Sequence, residues 1–576
     1  MATTTGGYKL KARAQRVGPW LLWLLPVLFL ILLYFYPLGR ILLLSFSRAE
    51  RGIESLLSPW GWQVLGFTVW QAALSTLLTL LFGLPAAYLL GRYEFRGKAL
   101  VRALSGIPFV MPTLVVAAAF NALLGPRGWA NLALMEWFGL ESPPIQFTNT
   151  LWAILTAHVF YNTTIVLRIV GDFWSRLDPR LGQAAQMLGA GPLQTLRRVT
   201  LPLLMPALTA AALLVFIFDF TSFGVILVLG GPRFATLEVE IYYQTVSLFN
   251  LPLAATLSLL QLLCTLGLTI IYSRLSARVS RPLTQRSQQV TQRRLVTVRQ
   301  RLAAGLVLAV LLGFLTLPLF GLAARSFVHL EADRGRQAPA ESGFTLDFYR
   351  ELSVNRRGSA FFTPPATAIG ISLGYAAATV LLALALGLPA SWALSQDEGG
   401  NRWLNRILDP VIMLPLGTSA VTLGLGFIVA LGRPPLNLRT SPLLIPLAHT
   451  LVAFPFVVRS LTPALRSIRP RLRQAASLLG AGPVEVIRYI DLPLIGRALL
   501  VAATFAFTIS LGEFGATALV ARPEYPTIPV VIYRLISQPG ALNYGQALAL
   551  STILMAVTAA GMLAIENFRV GEGEEF

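Results

Sequence analysis

Cysteine is nearly missing from this 576-residue chain. Cys264 stands alone inside an apolar run, which excludes an intrachain disulfide and a cysteine metal site. Lysine is almost as scarce, at positions 9, 11 and 98 only. A phosphate-cradling loop needs spaced glycines ending in Gly-Lys-Ser or Gly-Lys-Thr. The nearest approach, Gly91 to Gly97-Lys98-Ala99, has the wrong glycine spacing and no hydroxyl for magnesium. The chain is therefore not expected to bind ATP or any other cofactor itself. Charge of either sign is thin: 12% of residues, against about 25% in a soluble globular chain. No nucleophile–base pair and no metal cluster stands out, so the expected catalytic and metal residues are none.

What the chain has is apolar length. It is 55% hydrophobic with a mean hydropathy of +0.67. Apolar runs of about 18 residues or more read as membrane-spanning helices. Twelve occur: 19–45, 67–91, 103–124, 149–170, 202–230, 252–273, 302–324, 366–394, 408–431, 443–462, 493–521 and 544–566. They do not alternate as strands would, and lipid leaves open only helices or closed barrels. The expected fold is an all-α polytopic membrane protein.

The net charge is +20, from 46 basic and 26 acidic residues. In a soluble chain that balance suggests nucleic acid. Here the basic residues gather in particular loops, so the positive-inside rule explains them and no nucleic-acid partner is expected. Lys9, Lys11, Arg13 and Arg16 mark the N-terminus; Arg281, Arg286, Arg293 and Arg294 mark a linker. With twelve spans these segments share one side, which places both termini in the cytoplasm. The mixed-sign loop 325–365, with Glu331, Asp333 and Asp347, then falls outside.

The chain repeats itself. Gln183-Ala184-Ala185 returns as Gln474-Ala475-Ala476, Gly189 as Gly480 and Leu201-Pro202 as Leu492-Pro493, each 291 residues on. His158 matches His449 and Phe223-Gly224 matches Phe514-Gly515 at the same offset. Gly83-Leu84-Pro85-Ala86 matches Gly387-Leu388-Pro389-Ala390 at 304. Two six-span units follow, 1–280 and 300–576, joined by a cytoplasmic Arg-rich linker at 281–299. Six is even, so the units are parallel repeats about an axis along the membrane normal, a design that builds a pathway between halves.

Each polar repeat opens at a turn, Asp178-Pro179 or Arg469-Pro470. Gln-Ala-Ala then favours helix, and small alanines allow close approach by a partner. The glycine permits a sharp turn, and Pro192 or Pro483 starts the next helix. A short polar helix along the membrane face, between two spans, is a docking surface that can be pushed as a rigid body.

This spacing resembles the signature loop of binding-protein-dependent ABC importer permeases: Glu-Ala-Ala, three residues, Gly, nine residues, Ile, one residue, Leu-Pro. Val199 and Ile490 stand at the Ile position, and Gln183 and Gln474 replace the Glu. The resemblance implies the type I importer permease fold and a non-catalytic membrane subunit in the cell membrane. It also implies coupling helices at Gln183, Ala184, Ala185 and Gly189, and at Gln474, Ala475, Ala476 and Gly480. Two cytoplasmic ATPase subunits, holding ATP and Mg, would seat them, and one external solute-binding protein would deliver the cargo. A fused pair of units is similar to the subgroup serving iron(III) and thiamine. Ser222-Phe223-Gly224 through Glu238 looks like thiamine permeases, and Ser510 through Ala516 is similar to both kinds.

Asp219 and Glu513 lie in expected spans, where a carboxylate costs roughly 2.5–3.5 kcal/mol to insert. They are not repeat equivalents: Asp219 answers to Ser510, and Ser222 to Glu513. The readings that stay open are a cation pathway, interhelical hydrogen bonds, or a position near the outer interface. His158 and His449 read as gate contacts or, more simply, as inherited packing against neighbouring backbone. The competing function is a twelve-span secondary transporter driven by an ion gradient, which has no use for duplicated docking loops.

Overall fold

Backbone N–H and C=O groups in lipid must find partners within their own segment, so apolar length becomes helix. The computed structural model describes residues 22–47, 49–279, 292–329, 343–354, 363–395, 402–432, 434 and 437–570. Lys9, Lys11, Arg13, Arg16, Arg281, Arg286, Glu331 and Asp333 lie outside them. Among the described residues nine helices are long and apolar enough to cross a membrane, and three bent pairs raise that to as many as twelve. Among the described residues, β structure is confined to Tyr93–Glu94 pairing with Arg293–Arg294 and a bridge from Val328 to Phe344. The protein is an all-α polytopic membrane protein.

In the first half, α1 (Leu22–Ser47), α2 (Pro59–Arg92), α3 (Lys98–Val110), α4 (Thr113–Leu124) and α5 (Leu151–Arg176) precede a short helix α6 (Pro179–Met187). Then come α7 (Pro192–Phe220), α8 (Leu237–Val246) and α9 (Leu251–Val279). The second half runs α10 (Val298–Arg325), α11 (Thr367–Ser395), α12 (Arg402–Met413), α13 (Ala420–Leu431), α14 (Leu444–Ser467) and α15 (Pro470–Leu478). It ends with α16 (Gly496–Gly512), α17 (Ile528–Ile536) and α18 (Ala541–Val570).

Three expected straight spans are broken. The 103–124 run turns by 106° between Lys98–Val110 and Thr113–Phe138. Pro112 holds Met111 extended, since a residue before proline avoids helical ψ. The 408–431 run turns by 96° beyond Pro415, and the 493–521 run bends by 75° at Ile495. The 202–230 run is displaced: its helix begins at Pro192 and stops at Phe220. Leu201-Pro202 is therefore inside α7. A wide π turn at Leu196–Thr200, closed by the Leu201 N–H on the Leu196 carbonyl, accommodates a proline that cannot donate. The same turn recurs at Ile487–Asp491, ahead of Pro493.

Helices in lipid gain nothing from hiding apolar surface, so they associate through close packing of small residues. The repeated glycine serves that end. A Cβ on Gly83 of α2 would stand 2.9 Å from Cβ of Val166 on α5. A Cβ on Gly91, two turns along, would stand 2.9 Å from the Gly171 carbonyl oxygen. Gly387 of α11 meets Val457 of α14 in the matching place. The halves also interlock: α1 packs on α13 of the second half, and α10 packs on α4 of the first.

Because valine is stiff about χ1, the Gly83 contact cannot yield cheaply. Gly83→Ala is expected to cost about 1–3 kcal/mol, read as a lower unfolding temperature of the purified protein. Adding Val166→Ala should restore most of the loss. Gly305→Ala, which meets nothing within 4 Å, should be silent.

Candidate functional site

The residues singled out in the polar repeats form two short helices, α6 and α15, neither with a buried residue. Gln183 and Gln474 are exposed on them, as are Ala184 and Ala475; Ala185 and Ala476 are half-buried. Gly189 (φ 88°) and Gly480 (φ 92°) sit just past the helix ends in the left-handed region, where a Cβ is penalised. In each copy the alanine carbonyls cap the helix. The Leu188 N–H donates to Ala184 and the Ala190 N–H to Ala185; Leu479 and Ala481 repeat this on Ala475 and Ala476. The tips carry an apolar pair, Met187-Leu188 and Leu478-Leu479, each residue 88–90% exposed. Sequence reading passed over these four. Their signal was large apolar residues in a segment otherwise polar.

Both short helices pass through the glycine turn and the π turn into a spanning helix. The two copies are attached differently. Arg473 on α15 donates from Nε to Asp491 Oδ1 at 2.8 Å, with its guanidinium 5.4 Å from the Trp392 ring centre. Asp491 is fully buried. The first half has Gly182 and Thr200 at these positions, so the bridge has no counterpart there.

At the ends of α7 and α16 away from the short helices lies a cavity of about 430 Å³ between the halves. His158, Asp219 and Glu513 line it; His449 does not. The structure nevertheless gives both histidines one arrangement. His158 Nδ1 lies 2.9 Å from Ser75 Oγ and 3.4 Å from Asp219 Oδ1, and Nε2 lies 2.9 Å from Ser222 Oγ. His449 Nδ1 lies 2.8 Å from Ser510 Oγ, and Nε2 lies 2.8 Å from Thr517 Oγ1 and 3.3 Å from Glu513 Oε2. Each histidine thus touches one carboxyl and one serine from the equivalent pairs 219/510 and 222/513, where the halves have exchanged the two; His158 also touches Ser75, and His449 Thr517. These partners are side chains, where packing against backbone was the simpler expectation.

The carboxyls differ in how far they are satisfied. Glu513 Oε1 accepts from the Ala516 N–H at 2.7 Å, and Oε2 accepts from the Thr517 N–H at 3.0 Å and the Thr517 hydroxyl. It caps the short helix Gly515–Val520. Asp219 Oδ1 accepts from Asn162 Nδ2 at 2.7 Å, whereas Oδ2 has no hydrogen-bond partner among the described residues. A third carboxyl on the wall, Glu238, was quoted only as part of a resemblance. It crosses the halves: Ser419 Oγ donates to Glu238 Oε2 at 2.6 Å while accepting from the Val421 and Thr422 N–H groups, and Gln261 donates to Oε1. Its signal was one of two acids, with Glu240, in a largely apolar stretch whose repeat position holds Pro529.

Phe223 and Phe514, repeat equivalents, stack across the boundary with centroids 5.5 Å apart and planes 20° apart. Tyr242 flanks the first at 5.3 Å and Tyr533 the second at 5.5 Å. Aromatic pairs of this kind contribute about 0.5–1.5 kcal/mol beyond burial. Gly224 admits the close approach: a Cβ there would stand 3.2 Å from the Phe514 ring.

The chain matches the family described as binding-protein-dependent transport system inner membrane component, over residues 83–281 and again over 383–570. It is similar to the thiamine transport system permease protein ThiP of Brucella abortus, 29% identical over 545 residues, covering 93% of this chain and 94% of that one. ThiP of Escherichia coli is 26% identical over 506 residues, covering 86% and 88%. A probable ABC transporter permease protein of Sinorhizobium fredii is 27% identical over 522 residues, covering 88% of each.

The Arg473–Asp491 bridge can be weighed by a double-mutant cycle on thermal unfolding. Arg473→Ala and Asp491→Ala should each destabilise, and together should lose little more than either alone, a coupling of about 1–3 kcal/mol. Simple additivity would show the bridge to be idle.

Proposed function

The chain belongs to the binding-protein-dependent transport system inner membrane components, with two copies of the family unit in one polypeptide, and from that premise we propose that it carries thiamine across the membrane. It is a permease subunit of an ABC importer. The further parts of the reading are these. The short helices α6 and α15 face the cytoplasm, with both termini. Each seats on one of two ATPase subunits, which hold ATP and Mg and perform the hydrolysis. One external binding protein delivers the cargo on the opposite face.

The observation that carries this is the duplicated short helix with its exposed apolar tip, continuous with the helix that ends at the cavity. Exposed adjacent apolar side chains outside the lipid-facing spans mark a protein contact. Two copies at one repeat position call for two copies of one partner. Gln183 and Gln474 contact it without charge, so seating rests on shape, on the apolar tips and on the capped helix ends. Closure of the ATPase pair brings α6 and α15 together, and each motion passes through its π turn into α7 or α16. Asp219 and His158 then line the pathway, with Glu513 and His449 shaping its far end.

Thiamine is favoured over iron(III) on two grounds. The permeases named above as ThiP are thiamine permeases. The carboxyls do not converge: among the described residues no group of three His, Cys, Asp or Glu side chains could hold a metal ion.

The direct test reconstitutes the chain with its ATPase in lipid vesicles and adds thiamine-loaded binding protein. Stimulated ATP hydrolysis and thiamine uptake are expected; iron-loaded protein stimulating in its place would overturn the substrate. Leu478→Glu with Leu479→Glu should abolish ATPase co-purification while leaving the permease folded. Gly480→Arg should preserve some hydrolysis but uncouple it from uptake, and normal uptake would contradict the docking role.

A further inference from the structure

A permease that only opens a passage needs an aqueous hole. The cavity between these halves is furnished instead. Seven of its lining residues are Phe or Tyr, with Phe109, Phe218, Phe456 and Phe505 among the rings. Phe109 and Phe218 stand 6.1 Å apart and both are about two-fifths exposed, so their faces are available. No lysine or arginine is on the wall, while three carboxyls are. Its volume falls in the range of small-molecule sites, about 300–1,000 Å³.

Two polar atoms on this wall lack partners. Asp219 is 1% exposed and its Oδ2 is unsatisfied; the Tyr161 hydroxyl is also buried without a hydrogen bond. Buried polar groups in native proteins are ordinarily paired, and an orphan carboxyl oxygen on a residue that lines a cavity invites a cation. The other two carboxyls are already engaged. Glu513 caps a helix, and Glu238 is held by Gln261 and by Ser419 at the start of α13. Only Asp219 presents an unengaged oxygen.

We propose that this cavity is a binding site within the membrane for an aromatic organic monocation, with Asp219 as its counter-charge, the Phe109 and Phe218 rings as its stacking walls and the Tyr161 hydroxyl as a polar anchor. The inference rests on the thiamine reading and adds to it a selective resting place inside the permease. A quaternary ring cation suits such walls, because an aromatic face attracts cations and loses nothing to a group that cannot donate hydrogen bonds. Glu238 is a positioning residue here. Through Ser419 it ties α8 of one half to the N-terminus of α13 in the other, so the two walls keep their spacing.

The test measures equilibrium binding of radiolabelled thiamine to the permease–ATPase complex in lipid nanodiscs, with no binding protein present. Saturable binding is expected, weakened about 30-fold in Asp219→Asn. Phe218→Leu, which keeps apolar bulk but removes the ring face, should also weaken thiamine, and it guards against misfolding of the Asp219 variant. Gly83→Ala, at a helix contact outside the cavity, should lower thermal stability while leaving thiamine affinity near normal. The aminopyrimidine portion alone, which lacks the cationic ring, should compete poorly. Absence of saturable binding, or equal affinity in wild type, Asp219→Asn and Phe218→Leu, would overturn the site. If thiamine-loaded binding protein still stimulated hydrolysis in that case, the transport reading would stand without it. No stimulation would remove both.

Discussion

Everything in this molecule depends on an unbroken line of backbone from an exposed helix to a buried carboxyl. In the first half the line runs from α6 through Gly189 and the π turn at Leu196–Thr200 into α7, which ends at Asp219 and Phe220. From Pro192 to Phe220 it is 29 residues, roughly 40 Å of helix. The second half follows the same route from α15 through Gly480 and the π turn at Ile487–Asp491 to α16 and Glu513, with a 75° bend at Ile495 that the first half lacks. A helix in lipid cannot shed its hydrogen bonds, so a push at one end is delivered to the other. The π turns are the places where each lever can re-register, one wide turn ahead of a proline that cannot donate.

The levers are symmetric in plan and unequal in chemistry. The halves grip each other through exchanged first helices and through the ring stack at Phe223 and Phe514, so neither half closes the cavity alone. Yet Asp219 and Ser222 of one half correspond to Ser510 and Glu513 of the other. One carboxyl keeps an oxygen free and the other is used up in a helix cap. The attachment differs too, with Arg473 and Asp491 bracing only the second short helix. Duplication thus supplied two mechanical copies, and later substitution divided the work between them.

Much of this was legible in one dimension. Hydropathy is a property of composition, so the apolar runs were plain, and the repeat was plain because equal offsets survive without any knowledge of the fold. In sequence the Gly-Leu-Pro-Ala match marks only the repeat; that its glycine lies at the contact with Val166 emerges from the structure. Bends were not legible: an apolar run broken at Met111 or Ile495 reads the same as a straight one. The exchange of α1 and α10 between halves is tertiary and leaves no periodic trace. Asp219 and Glu513 could be named but not told apart, because their difference lies in which N–H groups point at them. Glu238 and Arg473 were passed over since each lacks a partner in the other copy, and a search for repeats discards what is not repeated.

The account's central claim is that motion enters at α6 and α15. It is tested most directly by the distance between spin labels at Arg180→Cys and Arg471→Cys, exposed equivalents on the two short helices away from their apolar tips, in a Cys264→Ser background, within the reconstituted complex. ATP binding to the partner subunits should shorten that distance, and hydrolysis should restore it. An unchanged distance in a complex that is taking up thiamine would contradict the claim.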